Sequence, residues 1–111
     1  MKRLKVTRQA KKRAAMALKL REGLPKSMRF GLTKTQARQL GINSGIERAR
    51  QLIRSESISF KDAMDVCRFR RFSKRKKKTL GVKGVIDLWG GSGFIERACR
   101  FVESERKEGG V

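Results

Sequence analysis

One short stretch, Gly84-Val85-Ile86-Asp87-Leu88-Trp89-Gly90-Gly91-Ser92, constrains what the rest of the chain can do. It holds the only tryptophan, and Val85, Ile86, Leu88 and Trp89 all favour burial. Gly90 and Gly91 follow at once, and paired glycines end a helix and permit a tight turn. The stretch therefore reads as a hub: an apolar helical turn ending at Trp89, a sharp reversal at Gly90 and Gly91, and an amphipathic helix that leaves after them. A cationic run, Lys74-Arg75-Lys76-Lys77-Lys78, arrives just before it.

A core gathered around one tryptophan has to be small. Apolar residues make up 38% of the 111 residues, and a chain of this length buries roughly two-thirds of its unfolded surface. That is enough for one domain with a thin core. Thirty Lys and Arg stand against ten Asp and Glu, a net charge of +20 with no histidine. Such a surplus repels itself and needs a functional reason or a polyanionic partner. Nucleic acid is the leading partner, DNA ahead of RNA, with an anionic membrane surface and an acidic protein as competitors. The membrane is set aside: no apolar run approaches the ~18 residues of a transmembrane helix, and no helix has an apolar face broad enough for a bilayer interface. The basic start, Met1 to Val6, lacks the apolar segment of a signal peptide.

The periodicity predicts an all-α domain over residues 7–108, with residues 1–6 as a flexible basic arm. Thr7 caps a helix to about Glu22, with Gly23 as its stop and an apolar stripe of Ala10, Ala14, Ala17 and Leu18. Its outer face carries Arg8, Lys11, Lys12, Lys19 and Arg21. A loop around Pro25 leads to Thr33, whose spacing to Gln36 fits a capping box, and to a helix ended by Gly41. Ser44 and Glu47 open the next helix, to about Arg54, with Ile46, Ala49 and Ile53 as its buried stripe and Leu52 alongside. This pair resembles a helix-turn-helix. Ser59 caps a helix over 60–73, with Phe60, Ala63, Met64 and Cys67 in one stripe and Val66 and Phe69 beside it. Ser92 caps the last helix, Gly93 to about Lys107, whose apolar face is Phe94, Ile95, Ala98, Phe101 and Val102. Glu96, Glu103, Glu105 and Glu108 give it an acidic balance suited to a protein contact. That makes about five short helices, with Trp89, Phe60, Phe69, Phe94 and Ile46 anchoring the core. No strand is expected, because sustained alternation is absent. Cys67 and Cys99, each inside an apolar pattern, read as a reduced, buried pair.

Little here suggests catalysis. The commonest general base, histidine, is missing, as is tyrosine. No cysteine spacing fits zinc and no glycine pattern fits a nucleotide loop, so no cofactor, metal ligand or catalytic residue is assigned. Of the acids that could gather a cation, Asp62, Asp65 and Glu96 read as first-turn helix anions. Asp87 reads as exposed or paired with a cation such as Arg97. The binding surface is assigned to Arg8, Lys11, Lys12, Lys19, Arg68, Arg71, Lys74, Arg75, Lys76, Lys77 and Lys78. Aromatic residues are too few for a base-stacking platform, so these cations should meet the phosphate backbone with little sequence readout.

The order of motifs resembles a small domain of unknown function encoded by tailed bacteriophages. The resemblance covers about residues 10 to 100. It is carried by Ala15, Leu18, Leu20, Arg21 and Glu22, then by Gly45-Ile46-Glu47-Arg48-Ala49-Arg50-Gln51-Leu52, by Arg68-Phe69-Arg70-Arg71-Phe72, and most specifically by Trp89-Gly90-Gly91. Similar domains often have an acidic residue after the two glycines, where this chain has Ser92, and a histidine that this chain lacks. The resemblance implies a phage origin, acting in the host cytoplasm or in the virion, and no defined activity. Besides nucleic-acid binding, two alternatives stay open: a minor virion or interaction protein, including an inhibitor of a host machine, and a metal-dependent nuclease built on Asp87.

Overall fold

In the computed structural model, residues 2–31, 34–40, 44–74 and 79–109 are described. The hub forms as its sequence requires. Helix α6 (Leu80–Leu88) is capped by the Thr79 hydroxyl, which accepts from the Val82 N–H at 3.2 Å, and it ends at Trp89. Gly90 and Gly91 then take φ of +99° and +91°, a region that costs other residues about 1–2 kcal/mol. Space forbids a side chain there as well. A Cβ at Gly90 would stand 2.6 Å from the Phe94 ring, and one at Gly91 would collide with the Arg13 Cδ. Helix α7 (Ser92–Gly109) starts directly after them. Ser92 is thus the first helical residue rather than the cap, and the Gly91 carbonyl accepts the Ile95 N–H at 3.0 Å.

The other helices wrap this hub. Helix α1 (Arg8–Gly23) is capped by Thr7, whose hydroxyl accepts from the Ala10 N–H. Its buried face is Ala10, Ala14 and Ala17. Three alanines in register let α1 pack closely on α3 (Gly45–Arg54) and on α6. After a 3-10 turn at Lys26–Met28 comes α2 (Lys34–Leu40). Ser44 caps α3 through the Glu47 N–H, as expected. The residues assigned to cap and end α2, Thr33 and Gly41, lie outside the described residues. Helix α4 (Phe60–Cys67) packs along α7, and a one-turn helix α5 (Arg70–Ser73) packs on α7 and α6. Trp89, Leu52, Ile58, Leu88, Ile95 and Val66 are sealed from solvent, at about 1.5–3 kcal/mol for each large apolar side chain. No described helix is long and apolar enough to cross a membrane.

The all-α class therefore holds, with several corrections of detail. The described residues form seven α-helices rather than five. They also form a two-stranded antiparallel sheet, β1 (Leu4–Lys5) with β2 (Ser57–Ile58), in which Leu4 faces Ile58. Strands of two residues are too short to show alternation. The segment read as a flexible arm is accordingly tied down from Arg3 to Val6: Leu4 and Val6 are buried, and the Val6 N–H donates to the Glu56 carbonyl at 2.8 Å. The helix expected over 60–73 breaks at Arg68 and Phe69. The break lets Phe69 stack on Trp89, with ring centroids 4.1 Å apart. In α3, Leu52 fills the core while Ile53 faces solvent. Phe60 and Phe69 are only partly buried. Cys67 and Cys99 form a disulfide rather than a reduced pair. Packing of α4 on α7 brings their Cα atoms to 4.8 Å despite 32 residues of separation, a closeness that sequence spacing does not reveal.

Candidate nucleic-acid interface

The interface is defined first by where the carboxylates go. Among the described residues, Glu47, Asp62, Asp65, Asp87, Glu96, Glu103 and Glu108 each hold a cation within 4 Å. The deepest cluster surrounds Arg48, which is 8% exposed. Its guanidinium meets Asp62 at 3.0 Å and Asp65 at 3.2 Å, donates to Gln51, and lies 5.2 Å from a Trp89 ring. Gln51 in turn donates to Asp62 at 2.8 Å. Burial pushes the Asp62 carboxyl up, but the hydrogen bonds from Gln51 and Arg48 outweigh it and hold the group below its ordinary value. Asp62 stands in the first turn of α4, as expected, whereas Asp65 lies beyond it, and both partner a buried arginine. Glu96 has a similar correction: Arg70 forks onto it and reaches Glu103 at 3.2 Å. The hydrogen bond from Arg70 leads the causes that hold the Glu96 carboxyl low.

The predicted cations then separate into groups. Arg8, Lys12 and Lys19 are exposed and fall at i, i+4 and i+11, along one face of α1. Lys11 is diverted. Its ammonium donates to the carbonyls of Leu52, Ile53 and Ser55, capping the C-terminus of α3, where unsatisfied carbonyls attract a cation. It is not available to phosphate. Arg71 and Lys74 are exposed, while Arg68 is exposed yet pairs with Asp65 at 3.3 Å. Arg75, Lys76, Lys77 and Lys78 lie outside the described residues.

Two clefts flank α1. One, of about 300 Å³, is lined by Lys12, Arg13, Lys83 and Asp87. The other, of about 310 Å³, is lined by Arg13, Arg97 and Arg100 between the starting turns of α1 and α7. They adjoin at Gln9 and Arg13 and together present a basic track in which Asp87 is the one carboxylate among the lining residues. The Asp87 carboxylate is paired with a cation, one of its two expected settings, but the cation is Arg13, at 3.6 Å, rather than Arg97; Arg13 comes from α1, which packs on α6. Burial pushes the Asp87 carboxyl up, and Arg13 and Lys83 offset this only in part. A third cleft, of about 470 Å³, lies between α2 and α3, where Lys34, Arg38 and Arg54 alternate with Glu47 and Asp62. Its mixed sign sets it apart from the track. Among the described residues, no three carboxylate or thiol groups converge as metal ligands would.

Arg13, Lys83, Arg97 and Arg100 are the cations that sequence reading passed over. The signal was there: Gly93, Arg97 and Arg100 stand at i, i+4 and i+7, a row separate from the buried Ala98 and Val102. No protein-family model, curated protein or solved structure matches this chain.

Proposed function

We propose that this chain binds nucleic acid non-catalytically, through the phosphate backbone and with little base readout. The observation that carries the reading is the basic track. Arg8, Lys12 and Lys19 on one face of α1 run into clefts edged by Lys83, Arg97 and Arg100, none of which has a carboxylate within ion-pair distance among the described residues. Unpaired cations along connected surface are what a polyanion attracts, because each phosphate neutralised releases condensed counterions. The reading places the protein where nucleic acid is available, in a host cytoplasm or a virion.

The alternatives draw less support. Of the four glutamates that an acidic docking surface on α7 would use, Arg70 already holds Glu96 and Glu103, and Lys2 lies 3.7 Å from Glu108. A nuclease would need a cation at Asp87, beside which stand Arg13 and Lys83.

The test is charge reversal of Arg8, Lys12 and Lys19 to Glu, with binding to duplexes of unrelated sequence followed by fluorescence anisotropy at two salt concentrations. Affinity is expected to fall alike for every duplex, and the log–log salt slope to shrink by at least about 0.9 for each phosphate no longer neutralised. Wild-type protein that ignores polynucleotides in dilute buffer, or a weakening that depends on sequence, would overturn the reading.

A further inference from the structure

We infer that the cleft between the first turns of α1 and α7 seats one phosphate group of the bound strand, held by Arg13, Arg97 and Arg100. This rests on the nucleic-acid reading and gives it an anchor point.

Three arginines and no carboxylate line this cleft of about 310 Å³. Within the molecule their mutual repulsion has little to offset it. Asp87 lies 3.6 Å from Arg13, and of the α7 glutamates nearest Arg97 and Arg100, Glu96 feels Arg100 but is forked by Arg70, which also holds Glu103. Guanidinium is the side chain whose planar fork matches phosphate oxygens.

The hub determines where Arg13 lies. Its Cδ occupies the space that a Cβ at Gly91 would fill. A chain with any other residue there would displace the Arg13 stem, so the Trp-Gly-Gly turn is also a seat for this arginine.

Gly93 supplies a separate observation. It lies in the first turn of α7 with no positive φ, and a Cβ there would meet nothing within 4 Å. Neither backbone conformation nor packing asks for glycine, and glycine weakens a helix. What its missing side chain does provide is a bare stretch of backbone on the wall of the cleft, where a ligand could approach closely. Among the described residues, Ile95 carries the first N–H of α7 with a backbone partner, the Gly91 carbonyl; the amides before it belong to the turn that helices leave unsatisfied. Those amides add to the arginines as donors. From the cleft, the strand can continue past Gln9 and Arg13 toward Lys12 and Lys83 in the adjoining one.

An internal phosphodiester and a terminal phosphate share this chemistry, and the experiment separates them. Binding of the full chain to a 12-base-pair duplex, with and without 5′-phosphates, is compared for wild type, for Arg97→Gln with Arg100→Gln, and for Arg106→Gln with Lys107→Gln. The last pair removes the same charge at the far end of α7. The first pair is expected to lower affinity tenfold or more, and the far pair twofold or less. Gly93→Ala is expected to raise the melting temperature yet weaken binding several-fold. Preference for the phosphorylated duplex would identify a terminal phosphate, and equal affinity an internal one; both support the site. Equal weakening by the two double variants, or wild-type binding by Gly93→Ala, would overturn it while leaving backbone binding intact. Should the wild type ignore DNA, titration with inorganic phosphate at constant ionic strength decides. Movement of the Gly93 and Phe94 amide resonances would preserve the site and refute the nucleic-acid reading, and stillness would refute both.

Discussion

Arg48 and the pair Arg97 and Arg100 are the same residue type near the same hub, in opposite circumstances. Arg48 is sealed in, with Asp62, Asp65 and Gln51 around its guanidinium and Trp89 against it. Arg97 and Arg100 are exposed at a cleft without carboxylates. The difference shows how a chain with three times as many cations as anions stays folded. Four of its ten acids go where a buried or bracing cation must be neutralised, Asp62 and Asp65 at Arg48 and Glu96 and Glu103 at Arg70. The surplus is left outside, where solvent screens it. Net charge alone describes neither region; the allocation of carboxylates describes both.

The strongest way to break this comparison is to remove Arg48. Arg48→Ala leaves Asp62 partly buried without its cation and Asp65 with Arg68 alone, at an expected cost of about 3 kcal/mol, the lower end for a broken buried pair because Asp62 keeps some solvent contact and Asp65 keeps one partner. Arg97→Gln should change stability by less than about 0.5 kcal/mol. Urea denaturation of both variants checks this, and similar costs would erase the distinction. The pH dependence has a definite sign. The Asp62 carboxyl is held low in the folded chain, so its contribution is present above the ordinary carboxylate range and disappears as pH falls through the folded value. In Arg48→Ala that acid-side decline should be smaller.

Most of the scaffold was legible because its signals are local. Thr7, Ser44 and Ser59 cap the helices that their spacing announces, and Trp89-Gly90-Gly91 ends one as glycines at positive φ must. What escaped depends on the meeting of distant segments. Lys11 and Lys12 look alike in sequence, and only the arrival of the α3 C-terminus beside Lys11 distinguishes them. The Cys67–Cys99 bond and the Leu4–Ile58 pairing have the same origin. Within the candidate site, the α1 face could be read from periodicity. The arginines of α7 could not be assigned to it until α1 was seen to lie beside their cleft.

Those two adjacent lysines give the next test, smaller but sharper. Lys11→Met removes a cation from three carbonyls and should cost about 1 kcal/mol, since water replaces part of what the ammonium supplied. It should leave the salt slope of binding unchanged. Lys12→Met should alter stability by less than about 0.5 kcal/mol and reduce the slope by about 0.9, the value of one neutralised phosphate. Thermal melts and anisotropy on the pair measure both quantities. Were the two profiles exchanged, Lys11 would belong to the interface and the capping account would be wrong.

The smallest effect concerns Asp87, the carboxylate within the basic track, and it has the most to say about chemistry. Asp87→Asn keeps the shape, frees Arg13, and removes a negative charge next to the proposed strand. Affinity is expected to rise by a factor on the order of two, since one charge several ångströms away is worth only a few tenths of a kcal/mol in screened solvent. Stability should move little, because the Arg13–Asp87 pair is partly exposed and such pairs are worth about 0–1 kcal/mol. Burial raises the Asp87 carboxyl in the folded state. The folded chain therefore keeps this proton over a range where the unfolded chain has released it, and the wild type becomes less stable as pH rises through that range. The variant carries no such proton, so its stability relative to wild type should improve with rising pH. A relative stability that worsens instead would mean that the attraction of Arg13 and Lys83 for Asp87 outweighs its burial. Cleavage of DNA with magnesium by the wild type, absent in a folded Asp87→Asn, would replace the binding reading with a nuclease.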